Sequence, residues 1–150
     1  MASELARING KPDKDVYFPF AKSGDQFDHV IQSRNFGRAG EDAVALLRTF
    51  KPYRGGNEAL RGLHDLDITD KHTAIVPTGH TMNVTYEAEY LIDAPMKGVV
   101  SIKGADIFYV FPPYTAFPNA RIIETLKDLM QLVHGIVEAF AGLVQARSTT

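Results

Sequence analysis

Apolar positions along the chain follow two periods. Up to about residue 73 they recur every three or four residues, as on one face of a helix; they then alternate, and from about residue 119 the helical spacing returns. The first regime predicts a two-turn helix over residues 2–8 and a helix from Asp25 to Ser33 with Phe27, Val30 and Ile31 inward. It also predicts a helix from Gly40 to Phe50 with Ala43, Val44 and Leu47 inward, and a central helix opened by Asn57. Asn57 follows the Gly55-Gly56 break, and its side-chain oxygen suits it to hold an orphan N–H of the first turn.

The alternating regime predicts strands. Thr73 to Pro77 reads as a strand closed by proline. From Thr81 to Ile92, Met82, Val84, Tyr86, Ala88, Tyr90 and Ile92 share one face, and Asn83, Thr85, Glu87 and Glu89 share the other. Asp93 to Met96 reads as a turn, Gly98 to Lys103 as a third strand, Gly104 as a second turn and Asp106 to Phe111 as a fourth strand. The expected fold is therefore α+β: one domain over residues 1–150, an antiparallel meander of about four strands packed against helices, and a long C-terminal helix. That last helix is expected from Asn119 to Val144, with Ile122, Leu126, Leu129, Val133, Ile136, Phe140 and Leu143 at steps of four and three. Such a heptad seam either lies across the sheet or meets another helix, and it predicts a homo-oligomer, simplest as a dimer, through this element.

The central helix carries the candidate chemistry. Leu60, Leu63 and Leu66 define an apolar arc, but His64, Asp67, Asp70 and Lys71 follow them at one-turn spacings, with His72 next. A carboxylate on a core-facing arc must be paired. One reading is a structural His64–Asp67–Lys71 network. The other is a hydrolase site, a nuclease or esterase, with His64 as base, Asp67 orienting it, and Lys71 and His72 stabilising an anionic transition state, Asp70 nearby. A metal version would use His64, Asp67 and His72, but the spacing matches no established ligand motif, so no metal or other cofactor is expected. Asp65 and Thr69 fall on the far side and are expected in solvent.

Two further stretches suggest a small-molecule pocket. Val16-Tyr17-Phe18-Pro19-Phe20 is extended and apolar, either a plug on the core or, through Phe18 and Phe20, the wall of a pocket against the central helix. Tyr53 and Arg54 precede the Gly55-Gly56 turn, whose open backbone has room for a phosphate or carboxylate, although no phosphate-loop or dinucleotide fingerprint is present.

Composition narrows the function classes. The 150 residues carry 16 basic and 18 acidic side chains, net charge −2, so no basic excess draws the chain to nucleic acid. Cysteine is absent, which removes disulfides, thiolate sites and a thiol nucleophile. No Gly-x-Ser-x-Gly elbow supports a serine mechanism. With no uninterrupted run of 18 apolar residues and no leader-like start, the expectation is a soluble cytoplasmic protein with no membrane partner. The Asn83-Val84-Thr85 sequon is then incidental.

Taken together, Val16-Tyr17-Phe18-Pro19-Phe20, Pro52-Tyr53-Arg54-Gly55-Gly56-Asn57 and Leu63-His64-Asp65-Leu66-Asp67-Ile68-Thr69-Asp70-Lys71-His72 resemble a widespread family of uncharacterised bacterial and phage proteins. The resemblance covers nearly the whole chain and implies the same order of helix, strands and C-terminal helix, but supplies no catalytic residues. Thr73 stands where such proteins carry Arg. They also begin with a longer helical region, so residues 2–8 are expected to be its last two turns.

Overall fold

A computed structural model of the chain describes residues 1–73, 79–89 and 99–149. In order these form α1 (Ala2–Ile8), α2 (Phe27–Ser33), a 3-10 turn (Phe36–Ala39), α3 (Glu41–Phe50), α4 (Glu58–Thr73), β1 (Gly79–Glu89), β2 (Val99–Val110) and α5 (Ile122–Ser148). The fold is mostly helical.

The four-strand meander is corrected. The described residues hold one two-stranded antiparallel ribbon, β1 against β2. Thr73, expected to begin a strand, is the last residue of α4, and residues 74–77 and the Asp93–Met96 turn lie outside the described residues. The expected third and fourth strands are one strand. Gly104 does not turn the chain: it pairs with Thr85, while the next residue, Tyr86, pairs with Ile102. Lys103 is left as the extra residue of a β-bulge, the other place where a strand uses glycine. The ribbon is joined to the helices by the Val110–Arg121 bridge and by the Arg121 guanidinium, 3.7 Å above the Phe108 ring. On its other face Met82 sits opposite Ile107, and both are exposed.

The core lies among α1, α2, the 3-10 turn, α3, α4 and α5, where Leu5, Phe36, Ala43 and Leu47 are fully buried. Phe140 of α5 is its hub, with ring centroids 6.4 Å from Phe18, 5.9 Å from Phe36 and 6.0 Å from Phe50. The far end of α5 is tied down by Arg147. Its guanidinium donates to Asp42, to Asn9 Oδ1 at 3.1 Å and to the Ala39 carbonyl at 2.9 Å. The tie fits because Gly40, at φ 102°, has no side chain; a Cβ there would come within 2.5 Å of Arg147 Nη2.

The C-terminal helix is real but shifted, and its seam divides. Leu129, Ile136 and Phe140 are buried and Ile122 and Leu143 half-buried, whereas Leu126 and Val133 face solvent. Leu126 and Val133 belong instead to a second row, Ile123, Leu126, Met130, Val133 and Val137, all exposed by 37 to 68%. This row has heptad steps of three and four of its own.

Candidate functional site

The central helix begins as its sequence dictates. Asn57 Oδ1 accepts from the Leu60 N–H at 3.0 Å, and the Glu58 carboxylate accepts from the Gly55 N–H at 2.6 Å. Leu60 then enters the core, and the chain segment Val16–Phe20 lies alongside.

His64 is half-buried and stacked flat on Phe20, ring centroids 4.2 Å apart and planes 4° from parallel. Burial, with the Arg61 guanidinium second, lowers its pKa below the ordinary histidine value. The imidazole is thus held toward its neutral form as a packing surface. Asp67 is exposed on the helix surface, not turned inward as the ladder required. The side chains of Asp70, Lys71 and His72 lie outside the described residues, so the ladder is seen only at its first two members. Among the described residues no three His, Asp or Glu side chains gather as a metal site would need.

The buried ion pair of α4 is a different one. Arg61 is 9% exposed, donates to the Ala21 carbonyl at 3.3 Å and meets Asp65 at 2.5 Å. Its Nε–H is buried without an acceptor among the described residues. Asp65, expected in solvent, is half-buried and also meets Arg54 at 3.2 Å. The signal was present in the i, i+4 spacing of Arg61 and Asp65, but spacing alone does not show which pair is desolvated. Gly62 lies between Arg61 and Asp65: a Cβ at that position would meet the Phe117 ring at 2.6 Å, so Phe117 packs directly on the helix backbone beside Arg61.

The expected ligand residues divide likewise. Phe18 and Phe20 do line a groove, of about 320 Å³, with Leu60 and Leu63 of α4, Val133, Ile136, Val137 and Phe140 of α5, and Met1 and Ala2. None of these side chains carries a nitrogen or oxygen atom. Tyr53 and Arg54 are not part of it. Tyr53 packs on Phe27 at 5.2 Å and pairs with Ala21, while Arg54 borders a separate polar cleft with Glu58, Arg61, Asp65 and Phe117. Plug and wall are therefore both served by one segment: Pro19 is fully buried, and the rings on either side of it face the groove.

Val133 and Val137 belong both to the groove and to the exposed row of α5, so the two make one apolar surface. The sequence pattern missed it because α5 is apolar over an arc wide enough for two overlapping seams. By length and composition α5 is also long and apolar enough to cross a membrane, with mean hydropathy 1.3 over a window that is 17% buried. The expected absence of such a segment rested on an unbroken apolar run, which Gln131, His134 and Glu138 interrupt.

Comparison with protein-family models, curated proteins and solved structures gives no match.

Proposed function

We propose that the chain is a binding module that associates with a second copy of itself through α5. The observation that carries this reading is the exposed row Ile123, Leu126, Met130, Val133 and Val137, continuous with the apolar groove. Contiguous apolar surface larger than a few hundred Å² is uncommon on a monomer and marks interaction sites. A standard interface buries about 800 Å² on each side, of which a little over half is apolar. Five side chains exposed by 37 to 68%, with the groove beside them, offer apolar area of that order. Glu124, Lys127, His134 and Glu138 flank the row with the polar rim such interfaces carry.

The same surface argues against chemistry at the groove. A hydrolase must bind and polarise its substrate, and the groove's side chains offer no polar atom for either task. His64 is not among the residues that line the groove; its ring lies behind Phe20, stacked on it. A Met130→Glu substitution tests the proposal, since Met130 is 68% exposed and sits at the middle of the row. The altered chain should keep its helical circular dichroism and show the 16.6 kDa mass of one copy by light scattering, while the unaltered chain shows twice that. Equal masses for the two would overturn the proposal.

A further inference from the structure

Granting self-association through α5, we infer that the two copies meet antiparallel, each placing Ile123 and Leu126 into the apolar groove of the other. The inference rests on the difference between the two halves of the row. Ile123, Leu126 and Met130 are 58, 47 and 68% exposed and stand out from the helix. Val133 and Val137 are 37 and 42% exposed and form one wall of the groove, whose other walls are Phe18, Phe20, Leu60 and Leu63. The second half of the row therefore borders the groove, and the first half does not.

A two-fold axis makes an interface self-complementary: whatever one copy offers must fit what the other offers at the same contact. The row is spaced nearly symmetrically about Met130, at steps of four and three toward Ile123 and three and four toward Val137. An antiparallel pair centred on Met130 sets Ile123 against Val137 of the partner subunit and Leu126 against Val133 of the partner subunit. Both grooves are filled, and Met130 meets its own copy on the axis. A parallel pair would set groove against groove and ridge against ridge, leaving apolar space unfilled on both sides, which costs packing energy. The groove, about 320 Å³, has room for more than one aliphatic side chain and lies at the low end of sites that receive ligands. Its occupant here is the end of another α5.

The chain lacks cysteine, so introduced thiols report the arrangement without background. Single variants Ile123→Cys and Val137→Cys are prepared in the full chain, checked by circular dichroism, and oxidised separately and as a mixture. The expected result is a disulfide-linked dimer from the mixture and little from either alone. A second variant isolates the groove. Leu63→Gln lies on α4, off the row, and is expected to raise the dimer dissociation constant at least tenfold with the helical signal unchanged. Efficient linking of Ile123→Cys to itself overturns the antiparallel arrangement while leaving self-association standing. An unchanged dissociation constant for Leu63→Gln overturns insertion into the groove. A monomer that floats with phosphatidylcholine vesicles, with no linkage in any mixture, overturns both the arrangement and the self-association beneath it.

Discussion

Phe20 and His64 lie face to face, ring centroids 4.2 Å apart and planes 4° from parallel, at the junction of an extended segment and a helix. The contact sets His64 behind Phe20, whose ring lines the groove. It also gives the fold a pH dependence. Burial lowers the pKa of His64 in the folded chain, so the unfolded chain takes up a proton first as pH falls. Stability from this group is full above the ordinary histidine pKa of about 6.5 and declines through the window between that value and the lower folded one. The melting temperature should fall on acidification from pH 7.5 to pH 5.5. His64→Phe should keep the stack on Phe20 and flatten that part of the curve, while an unchanged slope would show that the imidazole does not control it.

Arg61 and Asp65 form the buried pair of α4, and their energetics are asymmetric. Removing Asp65 leaves the buried guanidinium its bond to the Ala21 carbonyl but no carboxylate partner among the described residues. Breaking one partner of such a pair costs roughly 3 kcal/mol, whereas replacing both with apolar groups of similar shape is close to neutral. Asp65→Ala should therefore lower the melting temperature by about 10 °C in a domain of this size, and Arg61→Met with Asp65→Leu should recover most of it. Calorimetry of the single and double variants checks this. A double variant as unstable as the single one would remove desolvation as the cause.

The tie between Arg147 and Asp42 depends on Gly40. At φ 102° the backbone there is strained for any L side chain, and a Cβ would strike the Arg147 guanidinium. Gly40→Ala should destabilise by about 2 kcal/mol from strain alone, read by urea denaturation, and should loosen the last turns of α5 in hydrogen exchange. Arg147 also holds the Asp42 carboxyl below the usual aspartate range. That contribution is present at neutral pH and is lost as pH falls through the lowered value. Arg147→Met should therefore reduce the acid sensitivity of unfolding below about pH 4. Exchange rates in α5 unaffected by Gly40→Ala would contradict the tie.

Much of the fold was legible where local chemistry acts alone. The Asn57 cap, the limits of α3 to within a residue, and the existence of α5 all follow from capping and periodicity. What misled was ambiguity that only packing resolves. A glycine between two β runs suits a turn or the neighbourhood of a bulge, and Gly104 pairs with Thr85 beside the bulged Lys103. On α4, polar groups occur all around the helix, so spacing could not tell whether His64 and Asp67 or Arg61 and Asp65 would be buried; packing of the helix, including the Phe117 ring against Gly62 from 55 residues along the chain, decides it. On α5, Leu126 and Val133 fit two seams equally, and contact with the helical core chose Leu129, Ile136 and Phe140. The groove was anticipated at Phe18 and Phe20, but its α5 wall comes from residues far along the chain.

Self-association through α5 is the claim on which the functional reading turns. Sedimentation velocity of the unaltered chain across a dilution series, from well above to well below micromolar concentration, tests it most directly. The expected result is a boundary that moves from twice the 16.6 kDa chain mass toward a single copy as the protein is diluted. A boundary fixed at one copy throughout would contradict it.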